Sequence, residues 1–140
     1  MNKKENVISL AFKSNIKYVE LSVLVLAFIK KILDIGDDEF FKIEISLREA
    51  INNAIVHGNE KKMDKLVHVE FVWEKSFLQM RIRDEGDQKV SFDQIENKIK
   101  NCDLLSTNGR GIMIIKNYMD KFEFHCLERG SEVIMEKKLS

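Results

Sequence analysis

The sequence carries no excess charge of either sign: 23 Lys and Arg balance 23 Asp and Glu over 140 residues. No global field therefore draws the chain to nucleic acid or to an anionic membrane, and any partner must be chosen by local chemistry. Long apolar runs are missing too. The longest, Val23 to Ile29, is followed at once by Lys30-Lys31, far short of the roughly 20 residues that cross a bilayer. No signal-like apolar segment appears before Lys13, so the expected location is the cytoplasm, with no direct contact with nucleic acid or membrane. The two cysteines, Cys102 and Cys126, lack metal-ligand spacing and read as reduced thiols. Repeats and low-complexity linkers are absent, as are the Walker phosphate loop and the dinucleotide fingerprint. Proline is absent as well, which nothing else in the sequence explains.

What is present suffices for one domain spanning 1–140, long enough to bury about two-thirds of its unfolded surface without metal or disulfide support. The apolar periodicity predicts a first strand over Val7 to Phe12 and a long helix over Asn15 to Leu33. A second helix follows over Glu39 to His57, with Asp38 as its cap. Leu66 to Trp73 and Phe77 to Asp84 read as one hairpin, Phe122 to Leu127 and Glu132 to Lys138 as another. Between them Val90 to Asn108 reads as a lid, followed by a helix that turns Ile112, Ile115 and Met119 inward. Half-buried alternation in the strands, with three amphipathic helices, predicts an α/β two-layer sandwich: a mostly antiparallel sheet covered on one face by helices.

Three motifs carry chemistry. Glu49 and Asn53 stand one turn apart on the second helix, within about 40° of each other, while Ile43, Leu47, Ala50, Ile51, Ala54 and Ile55 gather on the opposite arc. A carboxylate beside a carboxamide supplies a general base and a neutral oxygen ligand for a hard cation; a solvated surface pair is the bland reading. Asp84 ends the strand Phe77 to Asp84 with the parity of Leu78, Met80 and Ile82, so it faces the core and needs a donor. The exocyclic amine of adenine is one candidate donor, with Gly86 allowing a flat ring to approach; Arg81 or Arg83 is the alternative, although both have the opposite parity. Finally, Asn108-Gly109-Arg110-Gly111 precedes the helix beginning at Ile112, where bare N–H groups and the helix dipole suit a phosphate. Arg110, between the glycines, is a candidate phosphate contact or a solvent-facing side chain.

Glu-x-x-x-Asn on a helix, Asp-x-Gly after a strand and Gly-x-Gly at a helix start, in this order, resemble the GHKL ATPases, whose ATP-binding domain is the Bergerat fold. The resemblance runs nearly end to end. The stretches Glu49 to Asn59 and Arg83 to Gly86 are most similar to the bacterial anti-sigma-factor serine kinases, and Gly130-Ser131 matches a further family element, a Gly followed by a small hydroxyl residue. The resemblance implies Glu49 as general base, Asn53 as ligand to Mg²⁺ on the ATP phosphates, Asp84 as reader of adenine and Gly86 as lining of the base pocket. It further implies that Asn108, Gly109, Arg110 and Gly111 border the phosphates and that Ser131 supports the adenine side. Asn52 neighbours the site. Two positions depart from the family pattern: Gln88 replaces a usual second Gly, and Ser131 stands where Thr is commoner.

The implied activity is transfer of the ATP γ-phosphoryl group to a Ser or Thr of an anti-anti-sigma protein, combined with sequestration of an RNA polymerase sigma factor, in a homodimer. A nucleotide-gated binding switch with little transfer is the alternative. A histidine-kinase catalytic domain would need a separate phosphoacceptor helix pair, for which the residues before the site helix leave no room, and the topoisomerase, mismatch-repair and chaperone branches need transducer domains.

Overall fold

The computed structural model describes residues 5–86 and 107–139, with side chains from Gly111 onward in the second stretch. Most of the expected lid, together with Gln88 and Cys102, lies outside the described residues.

Five strands form one sheet in the order β1-β2-β3-β5-β4, every neighbouring pair antiparallel. They are β1 (Asn6–Lys13), β2 (Leu66–Glu74), β3 (Phe77–Arg83), β4 (Lys121–Cys126) and β5 (Ser131–Lys138). The period-two pattern sets their faces. Val67, Val69, Phe71 and Trp73 on β2, Leu78, Met80 and Ile82 on β3 and Met135 on β5 are all buried under the helices. His68 and Glu70 on β2 pair in register with Arg83 and Arg81 on the other face. A concavity of about 410 Å³ lies on that open face, among Glu70, Arg81, Arg83 and Glu132, and shares no residue with Glu49 or Asn53.

Among the described residues three helices cover the inner face: α1 (Val19–Leu33), α2 (Asp37–Asn53) and α3 (Thr107–Tyr118). The long first helix expected from Asn15 is divided. Asn15 instead caps a short 3₁₀ turn, Ile16–Tyr18, by accepting from the Lys17 N–H at 3.0 Å, and α1 begins after it. On α2 the cap is Gly36, and Asp38 lies inside the first turn with Asp37 and Glu39, where three carboxylates complement the positive end of the dipole. Val19, Leu26 and Ile29 of α1 and Ile43, Leu47, Ala50 and Ile51 of α2 bury their apolar stripes against the sheet. The opposite side of α1 is apolar too: Leu21, Leu24, Phe28 and Ile32 remain 44–68% exposed. Among the described residues no helix is long and apolar enough to cross a membrane.

The expected continuation of α2 to His57 changes hand-hold at Ala54. Ala54–Gly58 is a π-helical turn in which the Asn59 N–H donates to the Ala54 carbonyl at 2.8 Å. Such wide turns accommodate an extra residue per turn and recur at functional sites. Here the turn directs Gly58 and Asn59 at the end of β3.

Candidate active site

Asp84, just past β3, is 5% exposed, and its carboxylate is held by Gly86, two residues on, and by Ser131 at the start of β5. Oδ1 accepts the backbone N–H of Gly86 at 2.9 Å and that of Ser131 at 3.2 Å; Oδ2 accepts the Ser131 hydroxyl at 2.7 Å. The Asp84 N–H returns a bond to the Ser131 carbonyl at 3.0 Å. The arginine alternative is thereby excluded: Arg81 donates to Gln79 at 3.1 Å, and Arg83 is exposed on the other face. Ser131 thus supports Asp84 directly, through both its main chain and its hydroxyl.

Three glycines make this packing possible. A Cβ on Gly58 would strike the Asp84 carboxylate, one on Gly86 would strike the Gly58 carbonyl, and one on Gly130 would strike the Asp84 backbone. Gly130 also has φ +77°, a left-handed conformation that favours glycine. The end of α2, the end of β3 and the β4–β5 turn thus meet at one carboxylate.

Glu49 and Asn53 form the second half of the site, facing α3. A Cβ on Gly111 would lie 2.6 Å from Glu49 Oε2 and 3.4 Å from Asn53 Nδ2, so α3 lies directly against the pair, and a larger residue there would push the Glu49 carboxylate aside. The expected glycine loop before the helix is instead part of it: α3 starts at Thr107, which places Asn108, Gly109, Arg110 and Gly111 in its first turns. The helix N-terminus is therefore nearer the expected lid than the sequence reading placed it. Among the described residues Glu49 and Asn53 have no side-chain hydrogen-bond partner. Partial burial raises the Glu49 pKa above the ordinary carboxylate value of 4.5, because removing water disfavours the charged form. A carboxylate of higher pKa is a stronger proton acceptor, as a general base requires.

Among the described residues no cluster of three or more His, Cys, Asp and Glu could hold a metal. The chemistry of the donor set nevertheless fits Mg²⁺, which takes one or two protein oxygens and completes its shell with water and substrate phosphates. Asn53 offers a carboxamide oxygen beside the Glu49 carboxylate, and next to them the buried Asn52 Oδ1 has no hydrogen-bond partner among the described residues.

Asn59, at the end of the Glu49 to Asn59 stretch, is the hub of a buried polar network. At 1% exposure, it donates from Nδ2 to Ser14 Oγ at 2.7 Å and to the Leu66 carbonyl at 2.9 Å, and accepts the Glu85 N–H on Oδ1 at 2.7 Å. Ser14 donates on to the Lys65 carbonyl at 2.7 Å. The Glu85 carboxylate accepts from the Leu66 N–H at 2.9 Å and meets His68 Nε2 at 2.8 Å, contacts that lower its pKa, with the Leu66 bond the larger cause. A signal for Ser14 existed in the sequence. It continues the inward parity of Ile8, Leu10 and Phe12, as Asp84 continues that of β3.

Comparison with known proteins finds matches along most of the chain. The family model for the histidine kinase-like ATPase domain matches residues 12–137. An anti-sigma F factor of Oceanobacillus iheyensis is 33% identical over 139 residues, covering 97% of this chain and 94% of that protein. Anti-sigma F factors of Bacillus cytotoxicus and Bacillus cereus are each 32% identical over 120 residues, covering 84% of this chain and 82% of theirs.

Proposed function

The chain belongs to the histidine kinase-like ATPase domain family, and on that premise we propose that it is a cytoplasmic serine/threonine protein kinase that uses ATP and Mg²⁺. Its substrate is the hydroxyl of a small anti-anti-sigma protein. It also sequesters a sigma factor, acts as a homodimer and uses residues 1–140 as one ATP-binding domain. The names of the relatives support the sigma-factor partner. The observation that carries the enzymatic reading is the meeting of Gly111 with Glu49 and Asn53: a base of raised pKa and an oxygen ligand stand together against the helix that follows the expected lid.

In this reading Asp84, fixed by Ser131 and Gly86, accepts from the exocyclic amine of adenine. Asn53 holds Mg²⁺, which when bound supplies charge neutralisation at the phosphates. Asn108, Gly109, Arg110 and Gly111 border the phosphates. Glu49 takes the proton of the attacking hydroxyl as the oxygen–phosphorus bond forms and ADP leaves with the electron pair of the broken bond. Phosphoryl transfer depends on positioning and charge more than on covalent chemistry, which suits so sparse a set of side chains.

A second reading is a nucleotide-gated binding switch with little transfer, favoured by the exposed apolar stripe Leu21, Leu24, Phe28 and Ile32 on α1. Incubation with γ-labelled ATP, Mg²⁺ and candidate anti-anti-sigma proteins, with Glu49→Gln as control, separates the two. Label on one candidate that disappears with the variant supports the kinase. Tight ATP binding without label on any candidate supports the switch.

A further inference from the structure

We infer that Asn59 is a positioning residue for base recognition, which sets the direction in which Asp84 presents its carboxylate; the inference rests on the adenine-reading role proposed for Asp84. The peptide that leaves β3 is held from two flanks. On one, Ser131 bonds Asp84 through both main chain and side chain. On the other, the only partner found among the described residues for the Glu85 N–H is Asn59 Oδ1, at 2.7 Å. The Asn59 carboxamide is itself immobilised by donating to Ser14 Oγ and to the Leu66 carbonyl, so both its donors and one acceptor site are used in a buried place.

This arrangement ties three segments to the Asp84 peptide. Asn59 comes from the π-helical turn, Ser14 from the end of β1 and Leu66 from the start of β2. The carboxamide therefore transmits the position of the sheet edge and of the helix end to the residue beside Asp84. A hydrogen bond to a base edge is directional and weakens steeply when misaligned. Releasing the Glu85 N–H leaves the Asp84–Glu85 peptide held by β5 and, through the Glu85 side chain, by Leu66 and His68 on β2, so that the peptide plane can tilt between these anchors and carry the Asp84 carboxylate with it. The consequence falls on discrimination between adenine, which offers an exocyclic amine donor, and guanine, which offers a carbonyl acceptor in its place. The phosphate end, Glu49 and Asn53 on α2, is not part of this network.

A merely structural Asn59 would affect only stability, so the test reads base preference. The full chain and its Asn59→Ala variant are titrated with ADP and with GDP by calorimetry, beside thermal melts. The expected result is about tenfold weaker ADP binding in Asn59→Ala, the loss typical of a disrupted hydrogen bond to a charged group, with GDP binding changed by less than about threefold, so that the base preference narrows. Ser14→Ala, which frees the same carboxamide from its outer side, is expected to narrow the preference by about two- to threefold. An unchanged ADP:GDP ratio in a folded Asn59→Ala overturns the inference. If that variant does not fold, an unchanged ratio in Ser14→Ala overturns it. A wild-type protein with no preference for ADP would instead contradict the adenine-reading role of Asp84 itself.

Discussion

The two ends of the site are built on opposite principles. Around Asp84 the carboxylate has three donors in place, Gly58, Gly86 and Gly130 leave no room for a further methyl group, and Asn59 fixes the next peptide. Around Glu49 and Asn53, one carboxylate is partly desolvated, and among the described residues neither side chain nor the buried Oδ1 of the neighbouring Asn52 has a hydrogen-bond partner. Recognition of a rigid base profits from preformed acceptors, since a buried polar group held in advance costs nothing to reorganise on binding. Chemistry profits from groups left unsatisfied until the substrate arrives. The same short stretch, Glu49 to Asn59, supplies both, because the π-helical turn at Ala54–Gly58 separates the face proposed to act on the phosphates from its structural end.

The contrast is broken most severely at the phosphate end by Glu49→Gln. Transfer is expected to fall roughly 10²–10⁴-fold, the typical contribution of a general base, with ATP affinity retained; single-turnover transfer and calorimetry measure the two separately. Because burial raises the Glu49 pKa, its ionised form costs folding free energy, a cost that appears as pH rises above the unfolded value of 4.5 and through the folded one. Glu49→Gln removes that cost, so at neutral pH it should melt no lower than the wild type. The same shift moves the acid limb of the transfer rate upward in pH from that of a solvent-exposed glutamate.

Asp84→Asn should do the reverse. Replacing an acceptor-only oxygen with an amide opposes one of the three donors, and ATP affinity is expected to fall about 10- to 100-fold, equivalent to the worth of one hydrogen bond to a charged group. Melting temperature should fall with it. Gly58→Ala and Gly111→Ala form a matched pair of smaller effects. At Gly58 the new methyl meets the pinned Asp84 carboxylate, for an expected loss of about 1–3 kcal/mol in denaturant unfolding. At Gly111 it meets the end of Glu49, which is flexible enough to move, so stability should hold while transfer drops.

The smallest expected effect is that of Glu85→Gln. The folded pKa of Glu85 is lowered, so its contribution to stability is present above 4.5 and lost as pH falls through the folded value. With the side chain 39% exposed, screening holds that contribution below about 1 kcal/mol. Acid titration of the variant should show a correspondingly shallow difference from the wild type below pH 4.5.

Much of this was legible in the sequence because period and parity are local properties. The inward faces of β2 and β3, the stripe of α2 and the placement of Ile112, Ile115 and Met119 all follow from spacing, and Asp84 was found because a carboxylate shared the parity of apolar neighbours. Three features were not legible. The π-helical turn depends on where Gly58 and Asn59 find tertiary partners, which no local pattern encodes. The cap of α2 went to Gly36 rather than Asp38 because the chain leaves α1 through Asp34 in a left-handed conformation, φ 52°, and re-enters a helix sooner. The start of α3 at Thr107 runs past two glycines that local pattern treats as helix breakers; at Gly111 the glycine leaves space that the Glu49 carboxylate end occupies.

The most direct test is to measure ATP binding by calorimetry and single-turnover phosphoryl transfer on Glu49→Gln and Asp84→Asn side by side. The account predicts that Glu49→Gln binds ATP like the wild type and scarcely transfers, whereas Asp84→Asn binds poorly. Unimpaired transfer by Glu49→Gln, or wild-type ATP affinity in Asp84→Asn, would contradict it.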